Sequence, residues 1–298
     1  KILVFSTEYA GELRIRWDEV RQLSSDSPAW IYFEDGTRVR ATLEFFGDGT
    51  VVLTDGDGLQ STPMPVEAIL FINPSPEVSG EGMKISGRIN AGLSATSGNT
   101  EAETLWLSGE SIARTRDNRF TLGAQGRRTK DRGRVTESNW LAYLKYDHFL
   151  TTKWYTYANG NFENDKFRDI RLRSTLGVGS GYQFFESDRT NLFLEGGLTY
   201  VNTDYDLGQD EDYPAGRWAL KYDHYLGNSR AQFFHSHEAY VGLEDRENSF
   251  VRSQTGFRFP LVQRLIATAQ YNVDWDNQPA PGLVKTDKTW LLTLGYSW

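Results

Sequence analysis

Charged side chains recur in this chain at positions that extended strands would turn to one common side. The basic ones are Lys84, Arg88, Arg119, Arg127, Lys145, Arg171, Arg173, Arg217, Lys221, Arg252, Arg258 and Arg264. The acidic ones are Glu110, Asp147, Glu163, Glu195, Asp223, Glu238 and Asp274. Gathered on one inner face, they could do one of two things. They could pair into a network that fills a narrow lumen, because charge taken out of water must be paired or stay hydrated. Or their excess of cations could line a small hydrated pore with a mild preference for anions.

Two smaller groups invite chemistry of their own. Asp204, Asp206 and Asp210 lie in an acidic stretch, Asp204 to Asp212, whose alternate carboxylates suit a hard cation such as calcium. The stretch lacks a closing glutamate at the spacing of a helix–loop–helix calcium site, so a solvated loop is the plainer expectation. Divalent ions bridging it to lipopolysaccharide phosphates would be its functional form. Phe234-His235-Ser236-His237-Glu238 raises the thought of a lipid hydrolase. On one strand, however, Ser236 points away from both histidines, and a nucleophile must reach its base. With 4 His and no Cys there is no convincing metal site, and nothing asks for a cofactor. His148 and His224 each follow Lys-Tyr-Asp and read as interfacial packing residues.

The elements that would hold these groups are strands. From Met83 onward, segments of about ten residues alternate apolar and polar positions, as in Trp140-Ala142-Leu144-Tyr146 and Leu192-Leu194-Gly196-Leu198-Tyr200. Twelve such segments can be marked between Ile85 and Trp298. An even number closes an antiparallel barrel with both ends on one side of a membrane. A tilted spanning strand needs about 9–11 residues. The links near 114–118, 150–153, 186–190, 227–229 and 260–263 read as short turns; those at 128–138, 164–170, 203–213, 244–249 and 276–286 read as mostly longer loops. Outward aromatics gather at the segment ends: Trp140, Phe162, Tyr200 and Trp275 at one rim, Tyr146, Trp154, Tyr182, Phe184, Tyr222 and Trp298 at the other. Aromatic rings favour the headgroup zone of a bilayer. The composition agrees: hydropathy is polar on average, yet aromatics reach 14% and no run approaches a membrane helix.

Residues 1–74 read as a separate small all-β domain, either a twisted sheet or an SH3-like barrel, with turns at Glu34-Asp35-Gly36, Gly47-Asp48-Gly49 and Asp55-Gly56-Asp57-Gly58. A faint repeat relates Asp18-Glu19-Val20 to Val66-Glu67-Ala68-Ile69. Residues 75–82, rich in Pro, Ser and Gly, read as a linker to a barrel over 83–298. Residues 1–80 carry net charge -7 and the rest -1. Neither part has the basic excess of a nucleic-acid binder, but the acidic first part could face a basic periplasmic partner.

Two stretches carry a resemblance. Leu291-Leu292-Thr293-Leu294-Gly295-Tyr296-Ser297-Trp298 looks like the terminal signal of outer-membrane barrels, with Leu292, Leu294, Tyr296 and Trp298 on one face. That resemblance implies insertion by the Bam assembly machinery. Gly92-Leu93-Ser94-Ala95-Thr96-Ser97-Gly98-Asn99-Thr100, with Leu144-Lys145-Tyr146-Asp147, Trp154-Tyr155-Thr156-Tyr157-Ala158 and Leu176-Gly177-Val178-Gly179-Ser180-Gly181-Tyr182, resembles the YdiY-like salt-induced outer membrane proteins. Glu8-Tyr9-Ala10-Gly11-Glu12 resembles the domain that precedes the barrel in some members. The resemblance implies a barrel in the outer membrane, with lipid and lipopolysaccharide around it and the N-terminal domain in the periplasm. It implies no reaction, so the expectation is a non-enzymatic envelope protein, structural or a narrow pore. The alternatives are an outer-membrane lipid hydrolase and a docking protein that recruits a periplasmic partner.

Overall fold

The computed structural model describes residues 2–7, 11–45, 47, 49–74, 79–97, 101–187, 189–227, 230–280 and 282–298. Glu8 to Ala10, Asp48 of its glycine-flanked turn, the linker residues 75–78 and the turn residues 98–100 lie outside the described residues. The chain divides into two units, Lys1–Gly82 and Met83–Trp298.

The first unit is built on two sheets. Strands β1 (Ile2–Thr7) and β2 (Gly11–Arg16) form an antiparallel hairpin. The second sheet contains β3 (Leu23–Ser24), β4 (Ala29–Phe33), β5 (Arg38–Phe45), β6 (Thr50–Thr54), β7 (Met64–Pro65) and β8 (Ile69–Ile72). It meanders in the order β7-β6-β5-β4, and the last strand, β8, returns to pair with β4. The period-2 alternation turns Ile31, Leu43, Phe45, Val51, Leu53, Val66 and Ile69 into one core, the largest apolar cluster of the unit. The two halves of the faint repeat become two 3-10 turns, Trp17–Glu19 and Val66–Ala68. Asp35 closes its turn by accepting from both the N–H and the hydroxyl of Thr37, which holds its carboxyl below the usual range. Glu81 is tied back to this unit, accepting from Tyr32 Oη and pairing with Arg38, so the end of the expected linker belongs to the folded domain.

The second unit is a closed barrel of twelve antiparallel strands. They are β9 (Lys84–Thr96), β10 (Ala102–Arg114), β11 (Asn118–Asp131), β12 (Arg134–Phe149), β13 (Trp154–Asp165), β14 (Ile170–Glu186), β15 (Thr190–Tyr205), β16 (Glu211–Leu226), β17 (Ala231–Gly242), β18 (Ser249–Pro260), β19 (Leu265–Asp276) and β20 (Thr286–Ser297). Each pairs with its sequence neighbour, and β20 closes on β9. Strands of 12 to 17 residues exceed the length a membrane requires.

The extra length comes partly from one loop that is not a loop. Residues 128–138 are the ends of β11 and β12, joined by Arg132-Gly133 alone. Both have positive φ, 48° and 75°, the backbone of a tight two-residue hairpin turn. Of the other expected loops, 206–210, 243–248 and 277–285 exceed the turns at the opposite end, whereas 166–169 is no longer than the turn 150–153.

The barrel is inverted relative to a soluble protein. Leu107, Leu122, Leu144, Leu176, Val178 and Leu198 stand exposed on its outer wall, while Arg119, Asp147, Glu163, Arg173, Glu195 and Arg217 are buried inside. An apolar outside with a charged inside is stable only where lipid replaces water around the wall, which makes this a transmembrane β-barrel. Aromatic rows pack at the short-turn end: Phe120 on Tyr146, Trp154 on Tyr182 and Tyr182 on Phe184, and Tyr222 on Phe233 and Phe233 on Phe257.

The seam depends on a glycine. Trp298 and Gly87 exchange both backbone hydrogen bonds at 3.0 Å, and a Cβ on Gly87 would lie 2.4 Å from the Trp298 ring. Gly87→Val is therefore expected to destabilise closure by about 1–3 kcal/mol through overpacking. Heat-modifiability on gels checks this: the folded, fast-migrating band should melt at lower temperature than in the parent, whereas an unchanged transition would refute it.

Candidate functional site

The inward parity of the barrel strands brings most of the charged residues into a network of neighbouring ion-pair clusters. At the short-turn end, Arg119 Nε donates to Asp147 Oδ2 at 2.6 Å and its Nη1 to Gln183 Oε1 at 2.8 Å. Lys145 lies 2.8 Å from Asp147 Oδ1 and also pairs with Glu195. Glu195 further accepts from Tyr155 Oη at 2.8 Å and Arg217 Nη1 at 3.0 Å. Arg217 then reaches Glu238 at 2.7 Å. Toward the other end, Glu163 sits between Arg173, at 3.2 Å, and Arg252. Asp276 binds Arg173 and Arg168 at 3.3 and 3.1 Å.

A second group crosses the lumen. Glu110 on β10 accepts from Arg88 Nη2 at 2.6 Å, from Tyr143 Oη at 2.9 Å, and from Lys221 Nζ at 3.2 and 3.3 Å. In a ring of twelve strands, β10 and β16 stand six places apart, on opposite walls. Gln254 on β18 also reaches Gln125 on β11 at 3.3 Å, and Arg252 on β18 reaches Glu163 on β13. Arg258 bonds Asp223 at 2.7 Å and lies over the Phe234 ring at 3.8 Å. Arg127 joins Glu137 at 2.8 Å and Thr289 at 3.0 Å. Such pairs repay the loss of hydration only when each charge has several well-placed partners; Glu195 and Glu110 each have three. The network leaves a cavity of about 280 Å³ at mid-barrel, bordered by Arg88, Glu110, Asn159, Arg217 and Lys221 among others. A second cavity, about 310 Å³, lies at the long-loop end beside Arg168, Arg173, Asp276 and Asp287.

Three residues expected inside are elsewhere. The register shifts between Ile170 and Leu172, and the bulge turns Arg171 outward, where it pairs with Asp204 at 3.3 Å. Lys84 is exposed at the end of β9, and Arg264 sits in the 261–264 turn, 3.4 Å from Tyr296 Oη. Conversely, Tyr143, Tyr155 and Gln183 belong to the network although they carry no charge. Their parity was readable; a count of charges alone passes over them. Arg114 and Glu186, 3.0 Å apart, extend it at the short-turn end.

The acidic stretch does not converge. Asp204 is used by Arg171, and Asp210 Oδ1 accepts from the Tyr205 N–H at 2.9 Å. Among the described residues, no group of three or more His, Cys, Asp or Glu is placed to hold a metal ion.

The histidines occupy the outer wall. His237 stacks on Trp218 and accepts its indole N–H. An indole nitrogen only donates, so the direction of the chain is fixed. His237 Nδ1 donates to His235 Nε2 at 3.0 Å, and His235 Nδ1 donates to Thr255 Oγ1 at 2.7 Å. His235 thus turns its proton, not a lone pair, toward the hydroxyl and is no base for it. Ser236 lies between the two histidines on β17, so alternation turns it to the opposite side of the wall. His148 and His224 bond Asn118 and Thr190 at the short-turn rim. Leu292, Leu294 and Tyr296 on β20, and Trp298 just after it, all stand exposed.

The chain is 23% identical over 212 residues to "Uncharacterized protein YdiY" of Escherichia coli (strain K12), covering 71% of this chain and 82% of that protein. Among solved structures it is similar to the NanC porin, with a TM-score of 0.42 at 10% identity over 72% of this chain and 98% of that one. It is also similar to the translocator domain of the autotransporter NalP from Neisseria meningitidis, with a TM-score of 0.38 at 14% identity over 73% and 88% of the two chains. The model of the family described as "Protein of unknown function, DUF481" matches residues 89–298, nearly the whole barrel, and the chain belongs to that family.

Proposed function

We propose that the protein is a non-enzymatic barrel of the bacterial outer membrane whose lumen is held shut by its own ion pairs. On this reading it is a structural envelope element or, at most, a narrow ion path. The observation that carries this reading is the strut from Lys221 to Glu110, which joins opposite walls and divides the bore. A diffusion pore needs wall charges separated by water; here the wall charges meet. Lipid and lipopolysaccharide surround the wall, the Bam machinery inserts it through the β20 signal, and the N-terminal unit lies in the periplasm.

Liposome swelling tests the closed lumen. Vesicles carrying the purified protein should swell in an arabinose gradient no faster than protein-free vesicles, while a general porin run in parallel swells them readily. Swelling at the porin's rate would overturn the reading.

The acidic N-terminal unit supports a docking role toward a basic periplasmic partner, since Asp18, Glu19, Glu34, Asp35 and Glu67 are all exposed. Pull-down from periplasmic extract with the full chain, and with a chain lacking residues 1–82, should recover a basic protein with the first only. Equal recovery with both would reject the role.

A further inference from the structure

The barrel closes unevenly. Every other neighbouring pair is registered over ten residues or more, the shortest being Gln232–Val241 on β17 against β18. Between β20 and β9 the register covers only Leu294–Ser297 against Arg88–Ala91. At Gly92 the two strands still touch: a Cβ there would lie 3.0 Å from Thr293 Cγ2 and 3.1 Å from the Leu292 carbonyl oxygen. Beyond that point, no register pair joins Leu93–Thr96 to β20 among the described residues. Exposure changes at the same place. Leu93, Leu292 and Trp290 are 82, 81 and 78% exposed, against 56 and 57% for Ile89 and Leu294 on the same two strands. Leu292 is mid-strand, so a fraying end does not explain it; it faces the small Ala269 on β19 and has no registered partner on β9.

The lumen beside this split differs from the rest. Trp106 and Leu291 are buried on the inner face there, an apolar pair beside the polar Arg88–Glu110 and Arg127–Thr289 contacts of the same side. Trp106 also borders the central cavity. Seven of the cavity's lining side chains are cationic and four are carboxylates. Two of its buried polar groups, Asn159 and Arg119 Nη2, have no hydrogen-bond partner in the protein.

We propose that the split between β9 and β20 is a lateral portal through which a single-chain amphiphile with an anionic head enters the cavity from the membrane. The acyl chain lies between Leu93 and Leu292 and against Trp106 and Leu291. The head reaches the cationic cavity at Asn159 and Arg119. Unpaired strand edges are costly in hydrocarbon, which sets this stretch apart from the fully registered pairs of the barrel. A second β-strand pairing with the same edges is the competing occupant and is distinguished by the test. The portal does not depend on the axial closure proposed above, since a bore open along its axis could still carry a split seam.

A fatty acid bearing a diazirine near its carboxyl end tests the portal. It is mixed into phosphatidylcholine vesicles holding the full chain, irradiated, and its adducts mapped by peptide mass spectrometry. Adducts on Trp106 and Leu291, the inner face, are expected, and the corresponding fatty alcohol should lose them because it lacks the anionic head. In Ser94→Trp, whose bulk fills the split from within, the inner adducts should disappear while those on the outward Leu93 and Leu292 persist. Adducts confined to outward residues in the parent chain would overturn the proposal, as would inner adducts unchanged in Ser94→Trp or a chain-to-chain crosslink through β9 and β20. The mapping on the parent chain stands even if the variant fails to fold.

Discussion

Replacing Glu195 by alanine is expected to destabilise the barrel by about 3–5 kcal/mol, the usual consequence of leaving buried charge unpaired. Glu195 is almost fully buried and receives Lys145, Arg217 and the Tyr155 hydroxyl. Alanine would strand two cations in a low-dielectric interior, with only Asp147 left for Lys145 and Glu238 for Arg217. Urea unfolding in lipid vesicles, followed by tryptophan fluorescence, reads the change. Removing one cation as well, in Glu195→Ala with Lys145→Met, should recover part of the loss, because the desolvated charge goes with its partner. A change under about 1 kcal/mol, the scale of exposed pairs, would mean that water reaches these groups.

Opening the transverse strut should have the second large effect. In Glu110→Ala, Arg88 and Lys221 lose their shared carboxylate and repel one another across the bore. Planar bilayers holding the parent chain should show no resolved conductance steps. The variant should show steps with a preference for anions, since unpaired cations then set the selectivity. The swap Glu110→Lys with Lys221→Glu keeps one carboxylate across the gap and should return the barrel to silence. Equal steps in parent and variant would show that this strut does not gate the bore.

Much of the barrel was legible because its signal is local. In Trp140-Ala142-Leu144-Tyr146, each outward residue is identified by its own type and its two-residue spacing, and β12 contains all four. The inward set followed by complement, which is why Arg119, Asp147, Glu195 and Arg217 were assigned together. Failures occurred where a single residue breaks the period. The bulge at Arg171 turns Arg171 out and buries Ile170, and no residue type there announces it. Arg132-Gly133 is hard to read because arginine rarely takes positive φ, so a two-residue turn looked like the middle of a loop. The partners of each charge were not legible at all. Lys221 meets Glu110 across 111 positions of sequence, and that meeting depends on strand tilt and on the narrowing of the bore, which no local pattern encodes. The weakness of the seam was hidden for a similar reason. Leu93 and Leu292 have the residue types of any outward strand position, and only the register shows that they lack a partner across the seam.

The central claim is that opposite walls of the barrel touch through ion pairs. The most direct measurement is an experimental density map of the chain in lipid nanodiscs, at a resolution that resolves side chains. The account predicts continuous density from Lys221 on β16 to Glu110 on β10, with Arg88 and Tyr143 converging on the same carboxylate. A bore filled with solvent between β10 and β16, with Glu110 and Lys221 each turned to its own wall, would contradict it.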